Sequence, residues 1–86
     1  MIKRFADLEP GALFRTREGG SYQKLPNIRP DGFLWFFANT LNVETRRFAY
    51  FGDHVFVREV GHEPLEMQDG MLRIVTEEGT EELQFA

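Results

Sequence analysis

The sequence predicts an all-β fold: a small barrel or sandwich of about five strands followed by a C-terminal β-hairpin. Three observations lead there. Short apolar segments recur at a spacing of roughly ten residues, as in small sandwiches and barrels. Turn residues punctuate them at Glu18-Gly19-Gly20-Ser21, Pro30-Asp31-Gly32, Gly52-Asp53 and Asp69-Gly70. Side chains along Ala12 to Arg17 alternate as on an extended strand. With 86 residues, 42% hydrophobic and 28% charged, the chain has the composition of a folded globule and the length of a single domain. We read residues 1–60 as the core and 61–86 as an acidic extension.

Phe5 to Gly11 places two apolar residues three apart before a Pro-Gly pair that halts a helix, which predicts one helical turn capping the barrel. Ala12 to Arg17 alternates, with Arg15 and Arg17 on the parity of Leu13 and Phe14 on the other. The two glycines that follow suit a hairpin turn, and Ser21 to Pro26 returns as the next strand. Phe33 to Thr40 is apolar on both parities, which fits a strand buried on two faces and in need of a second cover. Arg46 to Phe51 and His54 to Val60 complete this unit, with Phe14, Leu34, Phe36, Phe48, Phe56 and Val57 supplying much of its interior. Beyond Gly61 to Pro64, Leu65 to Gln68 and Met71 to Val75 flank Asp69-Gly70, a strong two-residue hairpin signal. A third short strand, Glu82 to Phe85, follows the Glu-Glu-Gly-Thr loop.

Charge is uneven along the chain. Met1 to Val60 holds nine basic residues against seven acidic ones, whereas Gly61 to Ala86 holds Arg73 against seven acids. The net charge of −4 argues against general nucleic-acid binding, which calls for clustered cations. The acidic end is either a solvated face or a surface for a basic partner. There is no cysteine, hence no disulfide, no thiolate nucleophile and no cysteine-ligated zinc. The chain must then be held by its core or by a partner copy, and a strand apolar on both parities favours self-association. No apolar run of membrane-spanning length and no export leader is read, so a cytoplasmic location is expected.

The candidate chemistry is sparse. His54 and His62 are the only imidazoles. His54 adjoins Asp53, but a turn role suits it better than catalysis, and no ligand spacing points to a metal. No phosphate loop or dinucleotide fingerprint is present. We therefore expect a protein that is not an enzyme and carries no cofactor. The richer set is arginine with aromatics. Arg15, Arg17, Lys24, Arg29, Arg46, Arg47 and Arg58 lie on or beside the expected strands. Arginine forks grip phosphates while aromatic faces stack on bases. The candidate ligand-binding residues are Arg15, Arg17, Tyr22, Lys24, Trp35, Arg46, Arg47 and Tyr50. The structural alternative is that the arginines pair with carboxylates across strands.

Phe5-x-Asp7-Leu8-x-x-Gly11-x-x-Phe14, then Tyr22-x-Lys24, Asn39 and Asp53-x-Val55 resemble a group of small, mostly uncharacterised bacteriophage and prophage proteins built as SH3-like β-barrels. The resemblance covers roughly Phe5 to Val60 and rests on turn and core positions. Thr40 departs from the small residue common after the asparagine, and the acidic hairpin lies outside the pattern. Several small phage proteins disable host defences, some by sequestering nucleotide signals. The resemblance thus implies a phage-type binding protein in the host cytoplasm that captures a small anionic ligand such as a host nucleotide signal. In the alternative reading the acidic segment docks on a host protein.

Overall fold

Among the described residues the chain passes from one sheet to the other between His62 and Glu66, about three quarters of the way along, and two hydrophobic cores result. The computed structural model describes residues 1–28 and 37–84. A six-stranded antiparallel sheet is ordered β1-β6-β2-β3-β4-β5, from β1 (Ile2–Arg4), β2 (Ala12–Arg15), β3 (Ser21–Ile28), β4 (Ala38–Asn42), β5 (Phe48–Ala49) and β6 (Phe56–His62). A three-stranded sheet follows, ordered β7-β8-β9, from β7 (Glu66–Gln68), β8 (Met71–Thr76) and β9 (Gly79–Gln84). The all-β expectation holds. The main sheet is open among the described residues, with β1 and β5 as its edges, so the two packed sheets form a sandwich-like arrangement and the ladder does not close into a barrel.

The expected helical turn is present as a single 3₁₀ turn over Phe5–Asp7. The C-terminal element has three strands, its first turn made by Asp69 and Gly70 at φ 53° and 75°. Two successive positive φ values give the primed turn whose twist matches that of the flanking strands. Several strand boundaries differ from expectation, and one strand was not expected. β1 pairs with β6, although nothing local in Ile2–Arg4 announces a strand. β5 is short, because Arg46 adopts a positive φ of 61° in a turn closed by Asn42, whose Oδ1 accepts the Glu44 and Thr45 amides. β6 starts later and runs two residues further, to His62.

The main sheet buries both faces over its middle strands. On the first face Phe5, Leu8, Ala12, Phe14 and Val57 form a core joined by Tyr22, Phe51 and Val55. Phe14 and Phe51 meet edge to face at 5.3 Å, and Tyr22 and Phe51 at 5.0 Å, in the geometry favoured by aromatic quadrupoles. Alternation along β3 puts Leu25 on the other face from Tyr22. There Leu25, Ile28, Ala38 and Leu41 pack with Leu72, Ile74 and Leu83 of the second sheet. Of the doubly apolar segment, Ala38 is thus covered by the acidic C-terminal part of the same chain, as is the neighbouring Leu41, while residues 33–36 lie outside the described residues.

The expected interior is found for Phe14 and Val57, which are buried, and Phe48 is half-buried. Phe56 is a correction: it is 66% exposed. Side chains of neighbouring strand residues point to opposite faces, so burying Val57 turns Phe56 outward. Leu34, Trp35, Phe36 and Arg29 lie outside the described residues.

Candidate ligand-binding groove

The second sheet covers the outer face of the main sheet only over β3, β4 and β5. No described residue of the second sheet covers the β1-β6-β2 end of that face, and strand register determines what stands on it. Arg58 of β6 sits directly opposite Arg15 of β2 on one side and Ile2 of β1 on the other. Phe56 lies two residues before Arg58 and therefore on the same face. These side chains, with Thr16, Arg17, Gly19 and Val57, line a surface groove of about 490 Å³.

The electrostatics of the groove are one-sided. Directly opposed residues on antiparallel strands have Cβ atoms about 5 Å apart, and like charges so placed destabilise the sheet. Arg15 and Arg58 are such a pair. Among the described residues neither they nor Arg17 is joined to a carboxylate, and no acidic residue lines the groove. The acid nearest along β6, Glu59, has the opposite parity and is held by Lys3 at 2.9 Å. Its bond with Glu59 raises the Lys3 pKa above the ordinary lysine value. Three guanidinium groups and an exposed ring therefore share one groove in which the described residues supply no anion.

The other candidate residues lie elsewhere. Tyr22 is half-buried in the aromatic core. Lys24 turns inward: its Nζ donates to the Phe5 and Leu8 carbonyls at 2.8 and 2.7 Å and lies 4.5 Å from the Phe5 ring centroid. Burial holds its pKa below the ordinary lysine value, while Asp53 and Asp7 pull it back up. Arg46, Arg47 and Tyr50 belong to the β4–β5 end of the sheet, three strands away from β2. Arg47 is bonded to Glu77 at 3.1 Å, tying that end to the second sheet, and Tyr50 is exposed. Trp35 lies outside the described residues.

The structure thus brings together Arg15 and Arg17 of the expected set and adds Arg58, Phe56 and Ile2. Strict alternation on β6 was the signal that could have found Phe56, since Phe56 and Val57 cannot both face inward. A second cavity, of about 330 Å³, lies beside Lys24, Asn39 and Asp53. Its Lys24 and Asn39 are committed to the fold. Asn39 donates to the Phe51 carbonyl and accepts from the Phe51 amide and the Thr40 hydroxyl. His54 lies in the turn after Gly52, and the His62 ring rests against the Pro10 carbonyl at 3.3 Å. No helix among the described residues is long and apolar enough to cross a membrane. Comparison with protein-family models, with curated proteins and with solved structures returns no match.

Proposed function

We propose that the protein is a non-catalytic binding protein that captures a small phosphate-bearing ligand in the Arg15–Arg17–Arg58 groove. A nucleotide is the sharpest candidate, its base lying on Phe56. The observation that carries this reading is the register of Arg15 against Arg58 with no carboxylate beside them among the described residues. A structural pair would have one sign of each charge. Two like charges held face to face cost stability and suit a partner that brings the missing anion. The resemblance to small phage barrels supports a host nucleotide signal as that anion, with anti-defence sequestration as the outcome.

The acidic C-terminal segment is occupied in another way. Arg73 bridges Glu66 and Glu82, Arg47 holds Glu77, and Leu72, Ile74 and Leu83 build the second core. These contacts give Glu66, Glu77, Glu82 and the three apolar side chains a structural role, so docking on a host protein is the weaker reading.

Calorimetric titration with a panel of linear and cyclic nucleotides tests the proposal, using the wild type, the R15Q/R58Q double variant and F56A. Wild type should bind a member of the panel, and both variants should lose most of that affinity. The double variant should melt no lower than wild type, because removing opposed like charges returns about 0.2–1 kcal/mol. A wild type that binds none of the panel would overturn the reading. So would a double variant that binds normally.

A further inference from the structure

We infer that the groove selects a terminal phosphate, a dianionic phosphomonoester, over the internal phosphodiester of a cyclic or linked nucleotide. This inference rests on the reading of the groove as a nucleotide site and assigns the chemical class it takes. The count of charges and acceptors carries it. Arg15, Arg17 and Arg58 meet in one groove whose lining contains no carboxylate, and its one hydroxyl, on Thr16, already accepts the Gly20 amide at 3.1 Å. Each guanidinium offers five N–H donors in a planar fork. A terminal phosphate brings nearly two negative charges and three acceptor oxygens, enough for forks from two strands at once. A diester brings one charge and two free oxygens, which one arginine satisfies, leaving the opposed guanidinium without an anion.

The surrounding charges do not supply the deficit. Arg4, on β1 beside Phe56, is bonded to Asp7 at 3.3 Å. Lys3 and Glu59 pair with each other on the opposite face. Glu18 stands exposed in the β2–β3 turn and is not part of the lining. Phe56 lies beside Arg58, where a base attached to the bound phosphate would rest on its exposed ring.

The test is a calorimetric comparison at pH 7.5 of adenosine and guanosine 5′-monophosphates with their 3′,5′-cyclic forms and with ribose 5-phosphate. The monophosphates should bind about tenfold more tightly than the cyclic forms, from one added charge a few ångströms from the arginines. They should also bind at least about fivefold more tightly than ribose 5-phosphate, which lacks a base to stack. Lowering the pH to 5 protonates a monoester, whose second pKa is about 6, and leaves a diester unchanged. No histidine lines the groove, so the gap should close through the ligand alone. R58Q should also narrow the gap. Cyclic forms binding as tightly as the monophosphates would overturn the selectivity while leaving the groove a nucleotide site. Ribose 5-phosphate binding as tightly as the nucleotides would remove the base from the proposal. Binding of none of these ligands would overturn the proposal together with the reading beneath it.

Discussion

Replacing Lys24 with methionine should cost about 2 kcal/mol of folding stability while leaving the groove's affinity unchanged. Methionine keeps the apolar stem beside the Phe5 ring and removes only the ammonium. Two bonds go with it, to the Phe5 carbonyl at 2.8 Å and the Leu8 carbonyl at 2.7 Å. The Phe5 carbonyl still accepts the Leu8 amide at 3.1 Å, so it keeps a partner, whereas the Leu8 carbonyl loses the one side chain that reaches it. Bonds to a charged group contribute about 1.5–3 kcal/mol each, and their sum is an upper bound. The lowered Lys24 pKa shows that burial works against the charge, so removing it recovers part of the loss. For a domain of this size, about 2 kcal/mol is a fall in Tm of roughly 8–16 °C. Urea unfolding and thermal melting measure it, with groove titration as the second readout. A K24M protein as stable as wild type would show that desolvation cancels both bonds and that the lysine does not anchor the 3₁₀ turn. Normal stability with lost ligand binding would return Lys24 to the binding residues.

Asn39→Ala removes the amide that bridges β4 to Phe51 and strands the Phe51 amide and carbonyl together; urea unfolding should show a loss of about 2–4 kcal/mol. Gly11→Ala should be costly on two grounds. The glycine sits at φ 97°, and an added Cβ would lie 2.8 Å from the Glu63 carbonyl and 2.9 Å from His62 Nε2. We expect a loss of about 2 kcal/mol, with faster hydrogen exchange at the Glu63 amide, which bonds the Gly11 carbonyl. Lys3 gives a pH signature. Its folded pKa is raised by Glu59, so its stabilising effect is complete below the unfolded value of 10.5 and is lost as pH rises through the folded value. Melting temperature should therefore fall on the alkaline side, and K3M should flatten that limb. An unchanged slope would remove Lys3 from the account.

Local chemistry was the legible part of this fold. Asp69-Gly70 encodes its turn through two positive φ values, and alternation along Ala12–Arg15 assigns Phe14 to the core and Arg15 to the outer face. What sequence reasoning missed depends on pairings distant in the chain. β1 is a strand because β6, more than fifty residues later, supplies its ladder. Lys24 looked available to a ligand because the carbonyls that hold it belong to Phe5 and Leu8, which reach it only through the fold. The Arg15–Arg58 opposition depends on a register shift between Leu13 and Phe14, which no count of residues between turns reveals. Phe56 is a different case, because the parity that buries Val57 was already in the sequence.

The two fates of the outer face account for the placement of the groove. Over β3 and β4 that face carries Leu25 and Leu41, and the second sheet buries them with Leu72, Ile74 and Leu83. Extending the same cover over β6 and β2 would have to desolvate Arg15 and Arg58 together, a cost that rises steeply when no counter-charge accompanies them. The arginines therefore stand on the end of the sheet that the described residues leave uncovered. Phe56 and Ile2 remain exposed beside them at 66% and 59%, although large apolar side chains are usually buried. An open cationic surface with an uncovered ring is stable in water only because the guanidinium groups are solvated. A ligand that replaces that solvation with phosphate oxygens and lays a flat apolar group on Phe56 meets both features at once, which is why mutating the arginines and mutating Phe56 should impair the same binding event.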